Sequence, residues 1–285
     1  MPRSRIQTSA VLGHRALLLL MAAAACQTPT DAPAVPDRNP PEEVIVPSVP
    51  CATDLGRFGG FQWQARSQGL SGPGPNTWSA CNAWLDAAGL HLRLNRTAGT
   101  WTSAEVYTTG VVGYGRVEFE IATPLDALDP NVVFGLFTYP GGTLDGQHEI
   151  DIEFARFGAT AATATNLNYV VYPGAPLSGA KGLCSLRWDT SVGASVHRFL
   201  WSPDAVGFQS FAATAVTSAT TPYRAWRFAP SGAFTVSHGT WPLHVNLWLY
   251  GGKAPVNGAS VEIVIRRVTY DATLPSTTVP STICR

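Results

Sequence analysis

The stretch Gln147-His148-Glu149-Ile150-Asp151-Ile152-Glu153-Phe154 alternates strictly from Glu149 onward, acid then apolar, three times over. In a β-strand successive side chains point to opposite faces. Glu149, Asp151 and Glu153 then share one face, and Ile150, Ile152 and Phe154 share the other. A helix would scatter both sets, so the period predicts a strand with a hydrophobic back. Three like charges on one face repel one another. Two readings follow: an amphipathic strand with its acidic side in water, or a carboxylate cluster held together for chemistry.

The surroundings of this strand describe an exported protein. Residues 1–25 begin with Arg3, Arg5 and Arg15 and continue into an unbroken apolar run, Ala16 to Ala25. That run is too short to span a bilayer, which takes about 20 residues, and it reads as a signal peptide. It ends in Ala23-Ala24-Ala25-Cys26, which resembles the bacterial lipoprotein signal; the resemblance implies cleavage before Cys26 and lipidation of that residue. Ordinary secretion, with cleavage after a small residue, is the other reading. Residues 26–50 carry Pro29, Pro33, Pro36, Pro40, Pro41, Pro47 and Pro50 and few large apolar side chains, the composition of an extended tether.

Residues 51–285 have the size of one all-β domain. Of the whole chain 45% is hydrophobic and only 13% charged, so a large core is available. Losing residues 1–25 leaves 16 basic against 19 acidic residues, which offers nothing to nucleic acid or to an anionic membrane. Membrane contact is expected only through the lipid anchor. Setting Cys26 aside, Cys51, Cys81, Cys184 and Cys284 make an even set suited to disulfides in an oxidising compartment. Three pairings are open, with a bond between the domain ends, Cys51 to Cys284, preferred.

Short strands separated by turns fill this domain. Strands are expected at Gly89–Leu94, Arg116–Ile121, Asn131–Phe137, Asn166–Tyr172, Val196–Trp201, Leu243–Tyr250 and Val261–Val268. Between them lie turn signals such as Gly72-Pro73-Gly74-Pro75, Pro140-Gly141-Gly142 and Gly251-Gly252. No stretch carries a long helical period. The expected fold is an antiparallel two-sheet β-sandwich.

Glu149-Ile150-Asp151-Ile152-Glu153-Phe154 resembles the catalytic signature of glycoside hydrolase family 16. Four more segments resemble that family's landmarks in their order: Gly113–Glu118, Phe134–Tyr139, His197–Asp204 and Val245–Trp248. The resemblance implies a jelly-roll, concanavalin-like sandwich whose concave face binds a polysaccharide such as a β-glucan or galactan. It implies Glu149 as nucleophile, Glu153 as general acid/base and Asp151 as the residue that hydrogen-bonds the nucleophile. Retaining hydrolysis needs that division of labour: one carboxylate attacks the anomeric carbon while a protonated one donates to the leaving oxygen. Crowding three carboxylates also favours keeping one protonated near neutral pH. The unbulged alternation is similar to the branch containing lichenases and xyloglucan-active enzymes.

The same resemblance implies further sugar contacts. Asn246 and Trp248 fall on a late cleft strand, Asn168 on the strand after the catalytic hairpin, and Asn76 and Trp78 in an early bordering loop. Glu105 resembles a buried family Glu near the site. For each a structural role is the alternative: core packing for Trp248, a satisfied strand amide for Asn168, an ion pair for Glu105. His148 falls on the core side and is expected to be structural. Gln147, Val170 and Tyr107 depart from the lichenase pattern, which has Trp, an aromatic and Arg there, and leave the sugar and linkage open. Arg266 replaces an Asp that binds calcium in some members, so no metal is expected; nor is a cofactor. A monomeric retaining endo-glycanase is the leading expectation, with a non-catalytic carbohydrate-binding sandwich and a transglycosylase as rivals.

Overall fold

The computed structural model describes residues 51–67, 69–175, 180–273 and 284; these belong to the compact unit Val49–Arg285. The expected signal segment and tether, with Cys26, lie outside the described residues. In chain order the strands are β1 (Asp54–Phe58), β2 (Phe61–Ala65), β3 (Gly69–Ser71), β4 (Asn76–Trp78), β5 (Ala83–Asp86) and β6 (Gly89–Thr97). Next come β7 (Thr100–Val112), β8 (Gly115–Ile121), β9 (Val132–Thr138), β10 (Ile150–Ala155), β11 (Leu167–Val171) and β12 (Gly182–Leu186). The last five are β13 (Ser195–Trp201), β14 (Val206–Phe211), β15 (Arg224–Phe228), β16 (Trp241–Leu249) and β17 (Val261–Asp271). Three single turns of 3-10 helix are the only helical elements among the described residues.

Pairing resolves these strands into two antiparallel layers. One runs β1-β2-β7-β16-β9-β10-β11-β12. The other runs β5-β6-β17-β8-β13-β14-β15. The β6–β7 hairpin passes from one layer to the other, and β4 adds a short parallel pairing to β7. The result is the expected all-β sandwich, and each strand expected from alternation is present. The thirteen-residue β7 escaped that reading, because its buried residues run consecutively from Ser103 to Val106 instead of alternating.

Ile150, Ile152 and Phe154 enter the core with no solvent exposure, beside Phe134 and Leu136 of β9 and Leu167 and Tyr169 of β11. The opposite layer supplies Phe119, Phe199 and Phe208. Burying such side chains contributes about 1.5–3 kcal/mol each, which fixes the register of β10: a slip by one residue would put three carboxylates in the core. Behind Phe154 sits His197, its ring centroid 4.8 Å away. Burial holds this imidazole neutral, pushing its pKa down to about 3, while the hydroxyls of Ser195 and Ser210 meet its two nitrogens at 2.8 Å.

The disulfides correct one expectation. Cys51 pairs with Cys81 and Cys184 with Cys284, at Cα–Cα distances of 5.0 and 5.4 Å. The chain ends are therefore not joined to each other. Each is fastened to a neighbouring element instead: Cys51 to the turn before β5, and Cys284 to β12, the edge strand of the first layer.

Candidate active site

Cross-strand register builds the site. Asp151 faces Phe137 on β9, Phe137 faces His244 on β16, and His244 faces Tyr107 on β7. One row along, Glu153 faces Gly135, Gly135 faces Asn246, and Asn246 faces Glu105. The third row is Ala155, Val133 and Trp248. Period-two alternation places all three rows on the same face of the sheet. Above it lies a cleft of about 700 Å³ lined by Glu149, Asp151 and Glu153 together with Glu105, Asn246 and Trp248.

Glu149 stands just before β10, where His148 turns the chain in. His148 adopts φ +59°, a left-handed conformation rare for a residue with a Cβ. Its N–H donates to the Pro173 carbonyl at 2.9 Å. Its carbonyl accepts from the Thr138 and Ser237 hydroxyls at 3.3 and 3.2 Å, and its ring packs on His238 and Trp241. Thr138 also accepts from the Ile150 N–H at 3.1 Å. These bonds fix the backbone on both sides of Glu149, the structural role expected of His148.

The electrostatics separate the three acids from ordinary carboxylates. Burial, opposed by a hydrogen bond from Asp151 and reinforced by the charge of Glu153, raises Glu149 to about 7. Burial also raises Glu153 to about 7, against the pull of the Lys181 ammonium. Asp151 is raised well above the usual carboxylate range, first by burial and then by the charges of Glu149 and Glu153. A hydrogen bond between Asp151 and Glu149 acts in opposite directions on the two, raising Asp151 and lowering Glu149. Near neutral pH the trio retains protons that three solvated acids would have lost.

The other wall is held by charge. Glu105 accepts from Arg66 at 2.6 Å and meets His244 Nδ1 at 3.0 Å. Burial works against its ionisation, but His244 and Arg66 together outweigh it and keep the pKa below the ordinary value. Arg66 lies over the Trp78 ring at 4.3 Å. The Asn246 amide is buried, and its Oδ1 has no protein partner.

Three residues expected at the sugar site are spent elsewhere. The Asn76 Nδ2 donates to the carbonyls of Pro73 and Leu249, and its Oδ1 accepts from the Leu249 N–H and the Ser103 hydroxyl. It acts as a strand partner for Leu249. Trp78 is fully buried beneath Arg66, with its indole N–H on the Ser71 carbonyl. The Asn168 amide donates to the Ala155 carbonyl and accepts from Ser185. Conversely, the cleft is lined by residues that the motif does not identify: Arg66, Tyr139, Tyr172 and Lys181. Tyr139 could have been found from its place in the strand leading to the catalytic hairpin; Lys181 sits in no pattern.

No known family profile matches this sequence, and no curated protein is similar to it. Solved structures are similar. A β-1,3-1,4-glucanase (lichenase) from a mouse hindgut metagenome aligns over 77% of this chain and 97% of its own, with TM-score 0.55 and 20% identity. A Bacteroides ovatus glycoside hydrolase family 16 endo-glucanase aligns over 76% and 98%, with TM-score 0.57 and 14% identity. A laminarinase from Flavobacterium sp. UMI-01 aligns over 72% and 91%, with TM-score 0.55 and 15% identity. At such identities the likeness speaks for architecture: the chain has the β-sandwich fold of the family 16 glycoside hydrolases.

Proposed function

We propose that this protein is an exported retaining endo-β-glycanase, with Glu149 as nucleophile, Glu153 as general acid/base and Asp151 as the proton donor that orients Glu149. The observation that carries the reading is three carboxyl groups gathered on one strand face in a cleft of about 700 Å³, their pKa values raised by burial. A binding module has no use for so costly a cluster, whereas bond cleavage needs one ionised and one protonated carboxyl at neutral pH. Glu149 attacks the anomeric carbon as Glu153 gives its proton to the departing glycosidic oxygen. Glu153 then takes a proton from water, which displaces Glu149 and restores the enzyme. Transglycosylation would use the same groups with a sugar hydroxyl in place of that water.

The cleft charges support a neutral glycan. Five carboxyl groups line it, Glu105, Asp145, Glu149, Asp151 and Glu153, against Arg66 and Lys181, and Arg66 is already paired with Glu105. A sulfated or uronic-acid polymer would find few cations there to pair with. Glu105, Asn246 and Trp248 line the cleft, which supports reading them as contacts for a neutral sugar. Two disulfides fit export to an oxidising compartment, and Cys26 is the proposed lipid attachment point.

A reducing-end assay on laminarin, mixed-linkage glucan, xyloglucan, agarose and carrageenan tests this. Activity is expected on a neutral β-glucan and not on carrageenan, and Glu149→Gln and Glu153→Gln should each abolish it while leaving the circular dichroism unchanged. Silence on every polymer, or near-normal turnover by either variant, would overturn the assignment. Membrane fractionation of Cys26→Ser tests the anchor; continued membrane association would count against lipidation.

A further inference from the structure

The strands of the third row end at Ala155, Val132 and Leu249, and just past those ends Phe157 and Tyr250 come together beside Asn131. Phe157 lines the cleft, and the two aromatic side chains are 38% and 39% exposed. Their rings meet edge to face, centroids 5.6 Å apart. The same short segment fixes both: Pro130 accepts from the Gly158 N–H at 2.8 Å and Asn131 from the Tyr250 N–H at 2.8 Å. Gly158, at φ +83°, abuts the Tyr250 ring: a Cβ there would sit in ordinary contact, 3.5 Å from Tyr250 Cδ1.

Phe157 also holds φ +47°, a backbone state that bulky residues avoid and that costs free energy wherever it persists. Neither ring is buried enough to offset that cost by core packing. Two aromatic rings held rigidly, half open to solvent at the end of a polar cleft, suit a ligand with an apolar face and a polar edge. A pyranose ring has that shape. Phe157 follows Glu153 past the end of β10 at Ala155, which puts the pair on the Glu153 side of the cleft.

Given the reading of the cleft as a glycan site, we propose that Phe157 and Tyr250 form a sugar-stacking platform at its Glu153 end, binding a pyranose unit of the glycan away from the scissile bond. The full chain carrying Glu149→Gln serves as an inert background for titration with β-glucan oligosaccharides of increasing length. Adding Phe157→Ala or Tyr250→Ala should weaken binding of long oligosaccharides about tenfold, leave the shortest ones unaffected, and leave Tm within a few degrees. Phe157→Trp should keep long-chain affinity. In the otherwise unaltered chain, Tyr250→Ala should raise KM for polymer with kcat unchanged. Equal affinity of parent and both alanine variants at every length would overturn the platform alone. Failure of the parent to bind any glucan would overturn the glycanase reading beneath it.

Discussion

Asn246 stands directly over Gly135: a Cβ on residue 135 would come within 2.6 Å of the Asn246 Oδ1. Register places these two residues beside Glu153 and Glu105 in one row, so the missing side chain is what makes room for a carbonyl oxygen that is buried and has no protein partner. Gly135→Ala should push Asn246 aside without disturbing the strand. The expected loss in kcat/KM is about 10- to 100-fold, as for a lost substrate hydrogen bond of about 1–3 kcal/mol. Steady-state kinetics on a β-glucan, with Tm as control, checks it; full activity would remove Asn246 from the substrate site.

The roles of the two glutamates differ in a way that azide can display. In Glu149→Ala, azide can occupy the space of the lost carboxylate and attack an aryl β-glycoside directly, giving the α-glycosyl azide. In Glu153→Ala the glycosyl-enzyme still forms, and azide replaces water to give the β-glycosyl azide. Without azide, Glu153→Ala should lose about 10²–10⁴-fold on natural glycans. Proton NMR of the products reads the anomers, and the reverse pairing would exchange the two roles.

Stability should fall as pH rises through the range in which the trio ionises. Glu149 and Glu153 are lifted from 4.5 to about 7 in the folded protein, so the folded state keeps protons that the unfolded chain releases. Their contribution is fully present below about 4.5 and is lost as pH approaches 7, on the order of a few kcal/mol for the pair together. Differential scanning calorimetry should show Tm dropping across that window, and Glu153→Gln should flatten the drop and raise Tm at pH 8. His197 acts in the opposite sense. Its pKa falls from 6.5 to about 3, so its contribution is present above 6.5 and is lost as pH falls towards 3.

Asn76 offers a test of structure against substrate contact. Asn76→Ala leaves the Leu249 N–H and carbonyl and the Ser103 hydroxyl without their partner. The expected cost is on the order of 3 kcal/mol, a Tm drop of roughly 10 °C, with KM on β-glucan little changed. A KM rise without loss of Tm would make it a sugar ligand instead.

Cys184–Cys284 closes a loop of 100 residues, for which the chain-entropy argument gives about 4.7 kcal/mol. Cys284→Ser should therefore lower Tm by more than 10 °C at this chain length, and dithiothreitol should add less to that variant than to the parent. Unchanged Tm would show that the end of the chain is dispensable.

Much of this protein was legible in one strand. Alternation from Glu149 to Phe154 is a local property, set by the pleat of a single strand, and it determined which residues enter the core and which acids share a face. The short alternating segments with turn signals likewise determined an all-β sandwich. What alternation cannot carry is which strand lies beside which, because pairing joins residues far apart in sequence. Only the folded sheet decided that Gly135, Asn246 and Glu105 complete the Glu153 row, that His244 pairs with Glu105, and that Phe157 and Tyr250 meet around Asn131. It also decided that Asn76, Trp78 and Asn168 spend their polar groups on the protein itself, and that Cys51 and Cys284 each bond to a nearby strand or turn. The sequence determined the chemistry a strand face can offer. Tertiary register decided what stands across from it.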